Sequence, residues 1–502
     1  MSDNHSFLFE KKIYLFLFSL ILLTISTLGP PNIQVLNLLY SFNVSEAVKL
    51  FNESDSFFRM PNTKIRFTLY IISTILFVIF LFLPSTLSKS FINDKFARFL
   101  IYLFLLFILV SDYIYNISAI ILILYSVYYL IFYSSKSFTQ KEIFFIFAYF
   151  FLYFLPFIHS LYYHTSLPEV DNYLRFLFAI PLYILIREIN LNTLEFINII
   201  FISSILIGIT ALYFLSTEEL SRMRGYTSSA TIFGNISFLF SIMSFISIKY
   251  YLNHNKNYFI PILSVILPFI AWSLTSSRGP LIALLIIFII YLFRFFKADL
   301  RSSISKISLL LISFAFVIIA FSDIPNRLSQ AYYSTYNFMI DKDNHNWRQK
   351  DSLIPRYIIW QGSMIMIKNN PVIGIGLNNF NTELHNLMKD NSIKPLKRDL
   401  KNPTAGMNHA HNQYLDIFAK TGIFGFLSLL FFLIMNIYHF RDGMRYEDDD
   451  CIYFSTIGLV VMIIYISYMF THTILAHQQS TLFMILLLII LSGTLTSKIN
   501  NK

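Results

Sequence analysis

Runs of about 20 apolar residues recur along the whole chain, and they restrict its architecture more than any other feature. A helix of that length crosses the hydrocarbon core of a bilayer. Within lipid every backbone polar group must be satisfied internally, so a repeated apolar run of this kind folds as a helix. Such runs fall near 13–29, 67–84, 98–111, 115–133, 143–160, 173–187 and 194–215. Others fall near 230–249, 258–275, 280–296, 306–322, 415–438, 452–471 and 479–497. Charged residues make up only 13% of the chain, against roughly a quarter in soluble domains. The predicted fold is all-α and polytopic, with about 12–14 transmembrane helices, 98–111 and 173–187 being the shortest of the fourteen runs. Three parts follow: a bundle over 1–322, a long loop over 323–414, and a closing bundle over 415–502.

Lys11 and Lys12 precede the first run. That run resembles a signal peptide, but it has no small-x-small cleavage site before Pro30-Pro31 and reads as an uncleaved first helix. With these lysines inside, alternation puts Lys89, Lys95, Arg98, Lys136, Lys141, Lys249, Lys256, Arg294, Arg441 and Arg445 inside as well. The positive-inside rule is thereby satisfied, although the outer loop 49–66 also holds basic residues. Both termini are expected on the cytoplasmic side. The net charge of +10 is explained by this asymmetry. No basic, aromatic-interleaved soluble domain is present to hold nucleic acid. One cysteine, Cys451, excludes an intramolecular disulfide and a cysteine-based metal cluster.

The same alternation places His159, His164, His345, His385, His409, His411, His472 and His477 at the outer face, and only His5, His254 and His439 inside. The segment 323–414 is far longer than a connector needs to be. Within it, Arg356–Asn370 has helical apolar spacing and stops at Pro371, and a glycine-rich turn follows at Gly374–Asn379. Residues 386–408 are polar and basic and read as a mobile lid or a binding surface.

Candidate chemistry gathers on this outer side. His411-Asn412 sits where the loop enters a helix, whose exposed N–H groups and positive dipole suit a phosphate and keep an imidazole neutral. The alternative is a histidine that merely satisfies a helix cap, with His409 a helper or a bystander. Arg222 and Arg224 lie in one loop, Arg278 in the tight Ser277-Arg278-Gly279-Pro280 turn, and Arg356 at the start of the loop helix. A guanidinium grips phosphate oxygens in bidentate fashion and keeps its charge. Several on one face suggest a diphosphate, while interfacial anchoring is the plainer reading of Arg278. Asp341-Lys342-Asp343 is a weak metal candidate, and no metal ligand is assigned.

The order of these pieces resembles the O-antigen ligase and polymerase superfamily. They are the Arg222–Asn235 loop, Ser276-Ser277-Arg278-Gly279-Pro280 on a hairpin, Arg356–Trp360 with Asn370–Phe380, and then His409–Leu415 followed by Gly422 and Gly425. The similarity spans roughly 220–438. It implies inverting glycan transfer from undecaprenyl diphosphate on the periplasmic side of the bacterial inner membrane, without metal or other cofactor. On that pattern His411 is the base, supported by Asn412 or His409, and Arg222, Arg224, Arg278 and Arg356 hold the diphosphate. Gly422 and Gly425 would let the span pack closely on a neighbour. The implied partners are the lipid-linked glycan donor, a lipid A–core acceptor, and membrane lipids. Ligase is the first reading and polymerase, joining lipid-linked repeat units, the second. A lipid-linked oligosaccharide flippase is the rival of a different class, and it would carry internal repeats and mid-membrane charges.

Overall fold

In the computed structural model the described residues are 94–111, 113–132, 138–163, 168–217, 222–254, 257–295, 319, 323–340, 353–394 and 407–501. The expected spans near 13–29, 67–84 and 306–322 lie outside them, as do Asp341–Asp343, His5, His164, His345 and residues 395–406. The chain divides into two compact units. One comprises 1–92, 126–137 and 160–167, of which only the ends of two helices are described. The other comprises 93–125, 138–159 and 168–502 and holds everything that follows.

Fourteen α-helices are described, and no strand among the described residues. They are α1 (Asp94–Phe107), α2 (Ile114–Phe132), α3 (Gln140–Tyr162), α4 (Pro168–Glu188), α5 (Thr193–Thr217), α6 (Ala230–His254) and α7 (Phe259–Leu274). Next come α8 (Gly279–Phe295), α9 (Ile324–Ile340), α10 (Ile354–Asn369), α11 (Phe380–Lys389), α12 (Gln413–Gly443), α13 (Asp449–Thr471) and α14 (Gln478–Asn500). Every apolar run within the described residues is a helix. Seven are long and apolar enough to cross a membrane, namely α2, α3, α5, α6, α12, α13 and α14, while α7 and α8 are apolar but shorter.

Burial separates these helices by role. α14 is apolar on all sides and buried on nearly all of them, so it sits at the centre against α4 and α13. α5 and α12 instead expose Ile202, Ile209 and Tyr213, and Phe424, Leu427 and Ile434, at helical spacing. An apolar stripe left exposed on a long helix is what lipid contact requires.

The two ends of the unit differ chemically. At the end where α12 and α14 finish, charges are paired: Arg187 with Glu142 at 2.7 Å, Lys141 with Asp442 at 2.6 Å, and Lys498 with Asp450 at 2.8 Å. At the other end α3, α5, α7 and α13 finish and α6, α8, α12 and α14 begin. That end gathers Arg222, Arg224, Arg278 and four of the histidines.

The long loop is a small packed unit more than a lid. α10, α11 and the first turns of α12 enclose Ile354, Ile358, Ile359, Met366, Phe380, Leu384 and Ala419. Ile393, in the stretch that reads as mobile in the sequence, is buried in the same core.

The helix expected at 415–438 runs from Gln413 to Gly443, but it is broken at Gly422, where φ is 67° and ψ is −163°. Ile375 N–H donates to Ala419 O at 2.9 Å and Gly376 N–H to Lys420 O at 3.0 Å. Beyond the break, Ile423 N–H donates to Pro371 O at 2.9 Å. Carbonyls and amides freed by the break are thus satisfied by residues 371–376. This corrects the expectation for Gly422: its close neighbour is the loop strap, where a Cβ would meet Val372 O at 2.1 Å, and not a second span. The break also explains how a membrane helix can begin with Asp416 and Lys420, since both precede it.

Those two residues form an ion pair at 3.1 Å with side chains only 4% and 7% exposed. Lys420 also lies 5.4 Å over the Phe380 ring. Lys420→Met should therefore cost about 3–5 kcal/mol by leaving Asp416 buried and unpaired. The double change Asp416→Asn with Lys420→Met should recover much of that loss, as read by thermal unfolding in detergent.

Candidate active site

Local capping chemistry sets the position of His411. Asn412 is the N-cap of α12, with extended backbone, and its Oδ1 accepts from Tyr414 N–H at 3.0 Å and Leu415 N–H at 3.1 Å. These are two of the N–H groups that the sequence reading offered to a phosphate. The side chain of Asn412 occupies them, which leaves anion binding to the guanidinium groups. His411, just before the cap, is held at φ 51°, a left-handed conformation that is uncommon for a non-glycine residue.

Ala410 is pinned from both sides. Its N–H donates to Asp416 Oδ1 at 2.9 Å, and its carbonyl accepts from Trp360 Nε1 at 2.9 Å. Trp360 of α10 and the buried Asp416–Lys420 pair therefore fix the strand of chain that carries His409 and His411. Three further bonds attach this strand to α13 and the turn after it. Asn412 Nδ2 donates to Phe470 O at 3.2 Å, Leu475 N–H to Gln413 Oε1 at 2.9 Å, and Tyr414 Oη to Ile466 O at 3.2 Å.

The result is a cluster of four imidazoles. The His409 and His411 rings lie 4.3 Å apart edge to face, His409 and His477 5.5 Å apart, and His472 stacks parallel on His477 at 4.6 Å. His409 Nδ1, His472 Nε2 and His477 Nε2 are buried without a hydrogen-bond partner among the described residues. Burial pushes all four pKa values down, with the Arg356 guanidinium adding to the effect at His409, His411 and His472. His409 and His411 each fall to about 3. Both are neutral across the ordinary pH range, as a proton acceptor must be.

Of the arginines, Arg356 is the one whose charge reaches His411. Arg222 Nε donates to Thr275 O at 3.0 Å, joining its loop to the turn that carries Arg278. That turn packs tightly: a Cβ on Gly279 would come within 3.1 Å of Thr471 Oγ1, the residue before His472. Ser276, at φ 51°, gives the turn its sharpness. Arg224 faces a cleft shared with Gln478 and Gln479 at the start of α14. The four arginines and His411 thus meet at one end of the unit, on elements far apart in sequence. His159, another of the outer histidines, is used structurally, its Nε2 donating to the Ile373 carbonyl in the strap at the helix break.

Residues 263–430 match the profile of the O-antigen ligase family. Through this segment the chain belongs to the O-antigen ligase and polymerase superfamily. With its long apolar helices, that membership makes it a bacterial membrane protein. The chain is also similar to an uncharacterized protein of Haemophilus influenzae, 24% identical over 391 residues that cover 76% of this chain and 94% of the relative. The O-antigen ligase segment contains Arg278, Arg356, His409 and His411. Arg222, Arg224, His472 and His477 lie outside it and join the site only through the fold.

Sequence reasoning missed Lys420, Asp416, His472 and His477 as parts of the site. Asp416 and Lys420 carried a signal, an i,i+4 charge pair within an otherwise apolar helix. No comparable signal linked His472 and His477 to His411.

Neutral burial of the histidines has a consequence for stability. The unfolded chain takes up these protons near pH 6.5, while folded His409 and His411 resist until about 3. Between those values the unfolded state binds more protons, so stability falls as pH is lowered through this window. The unfolding temperature should drop between pH 6.5 and 4. His409→Gln should flatten that slope.

Proposed function

We propose that the chain is an inverting, metal-independent glycan transferase that moves O-antigen polysaccharide from undecaprenyl diphosphate to a hydroxyl of lipid A–core. What supports this most is the desolvated, neutral His411 set beside Arg356 at the end of the unit that also holds Arg222, Arg224 and Arg278. His411 takes the proton of the acceptor hydroxyl as that oxygen attacks the anomeric carbon. The bond to the carrier diphosphate breaks, and the arginines stabilise the charge that develops on it. Attack in line with the leaving group inverts the anomeric configuration.

An imidazole with a pKa near 3 is a weak base. Arrival of the diphosphate offsets the Arg356 charge and moves His411 back toward the operating pH. Orientation follows from the placement of lysines and arginines: the site faces the periplasm from the inner membrane, and both termini are cytoplasmic.

Arg278→Ala and Arg356→Ala should each weaken donor use by about 10- to 100-fold, the loss of one charged hydrogen-bonding group. Donor KM and kcat for the purified protein are the measurement. Unchanged values in both would mean that the diphosphate binds elsewhere.

The polymerase reading differs only in its acceptor, the sugar of a second lipid-linked repeat unit. Lipopolysaccharide from a deletion strain separates the two. Bare core with accumulated lipid-linked polymer supports the ligase, and core capped by one repeat unit supports the polymerase.

A further inference from the structure

We propose that the cleft between the Arg224–Ser228 loop and the start of α14 is a pyranose-binding subsite for the carrier-proximal sugars of the donor glycan. This rests on the transferase reading above. The cleft has a volume of about 540 Å³, within the range of small-ligand sites. Its lining is mostly polar: Arg224, Tyr226, Thr227, Ser228, Gln478 and Gln479. Phe214 closes one wall, its ring 4.8 Å from Tyr226 and edge to face with it.

These are the groups a sugar needs. An aromatic face receives the C–H side of a pyranose, and primary amides both donate to and accept from vicinal hydroxyls. Gln479 Nε2 donates to Ile108 O at 2.8 Å, which leaves its amide oxygen to face the cleft in a fixed orientation. The Thr227 hydroxyl is within 2.7 Å of Arg224 O and 2.8 Å of Ser229 O, so it shapes the loop, while Tyr226, Ser228 and Gln478 are exposed to the cleft. A diphosphate alone would not call for two amides and an aromatic pair beside a single arginine.

Position points to the donor. Gln478 follows His477, which contacts His409 and through it His411. On the other wall, Arg224 belongs to the loop whose Arg222 holds the Arg278 turn. The cleft therefore adjoins both the histidines and the diphosphate arginines, where the first sugars beyond the scissile bond would extend.

The test uses the full-length protein in nanodiscs with two probes: bare undecaprenyl diphosphate, and lipid-linked glycan extracted from cells lacking this chain. Wild type should bind the glycolipid more tightly than the bare lipid. Tyr226→Ala and Gln478→Ala should each weaken glycolipid binding by roughly 3- to 10-fold and leave the bare lipid unchanged. Gln478→Glu serves as a second variant should the alanine fail to fold. Equal loss for both lipids, or no glycan preference in wild type, overturns the subsite and leaves the transferase reading standing. A rise in acceptor KM alone assigns the cleft to the acceptor and overturns it as well. Wild type that binds neither lipid overturns the transferase reading itself, and the subsite with it.

Discussion

His411→Asn is expected to slow glycan transfer by about 10²–10⁴-fold, the usual contribution of a general base. Asparagine is the informative replacement because position 411 has φ 51°. Asparagine tolerates left-handed backbone better than most residues, whereas alanine adds strain of roughly 1 kcal/mol that would confuse folding with chemistry. His411→Ala should show the same loss of rate with a slightly lower unfolding temperature. Transfer by the purified protein, together with thermal unfolding, separates the two effects. A rate within about tenfold of wild type in a folded His411→Asn variant would remove this residue from the mechanism. His409→Gln should have the smaller effect, because His409 contacts His411 without standing at the helix entrance.

Gly422→Ala is expected to be the most damaging substitution for the fold. Its backbone, at φ 67° and ψ −163°, occupies a region open essentially to glycine alone. A Cβ there would also lie 2.1 Å from Val372 O and 2.4 Å from Val372 C, which are backbone atoms that cannot swing aside. The two effects together should cost about 4 kcal/mol or more. Relieving the clash would require the strap 371–376 to leave the helix break, losing the hydrogen bonds to Ala419, Lys420 and Ile423. Transfer should then fail as well, since α10 and its Trp360 clamp on Ala410 are carried on the same small unit.

Gly425→Ala provides the comparison. Its Cβ would crowd mainly the Thr421 side chain, and overpacking of that kind costs about 1–3 kcal/mol. Limited proteolysis and thermal unfolding should rank Gly422→Ala well below Gly425→Ala. Equal stability of the two variants would contradict the docking of the strap at Gly422.

The helical plan was legible in sequence because lipid and packing both act over about 20 consecutive residues. Each expected run within the described residues appears as a helix, including α4, despite its acidic start. Loop structure was less legible. Ile393 lies in a polar, basic stretch, and nothing in its neighbourhood announces that it packs against α10 and α11. The two glycines after His411 looked like a span-packing pair. One of them instead breaks the helix, a distinction set by backbone torsion and not by residue type.

By itself the sequence determined an all-α membrane protein, the end of the molecule that would carry the chemistry, and His411 with its arginines as the groups of interest. It did so because hydropathy, charge asymmetry and capping residues act locally along the chain. Only the tertiary structure decided that His472 and His477 complete the cluster, that Trp360 and Asp416 hold Ala410, and that Arg224 turns toward Gln478. Those contacts join segments separated by tens to hundreds of residues. Their energy comes from shared burial, and burial exists only once the helices have packed.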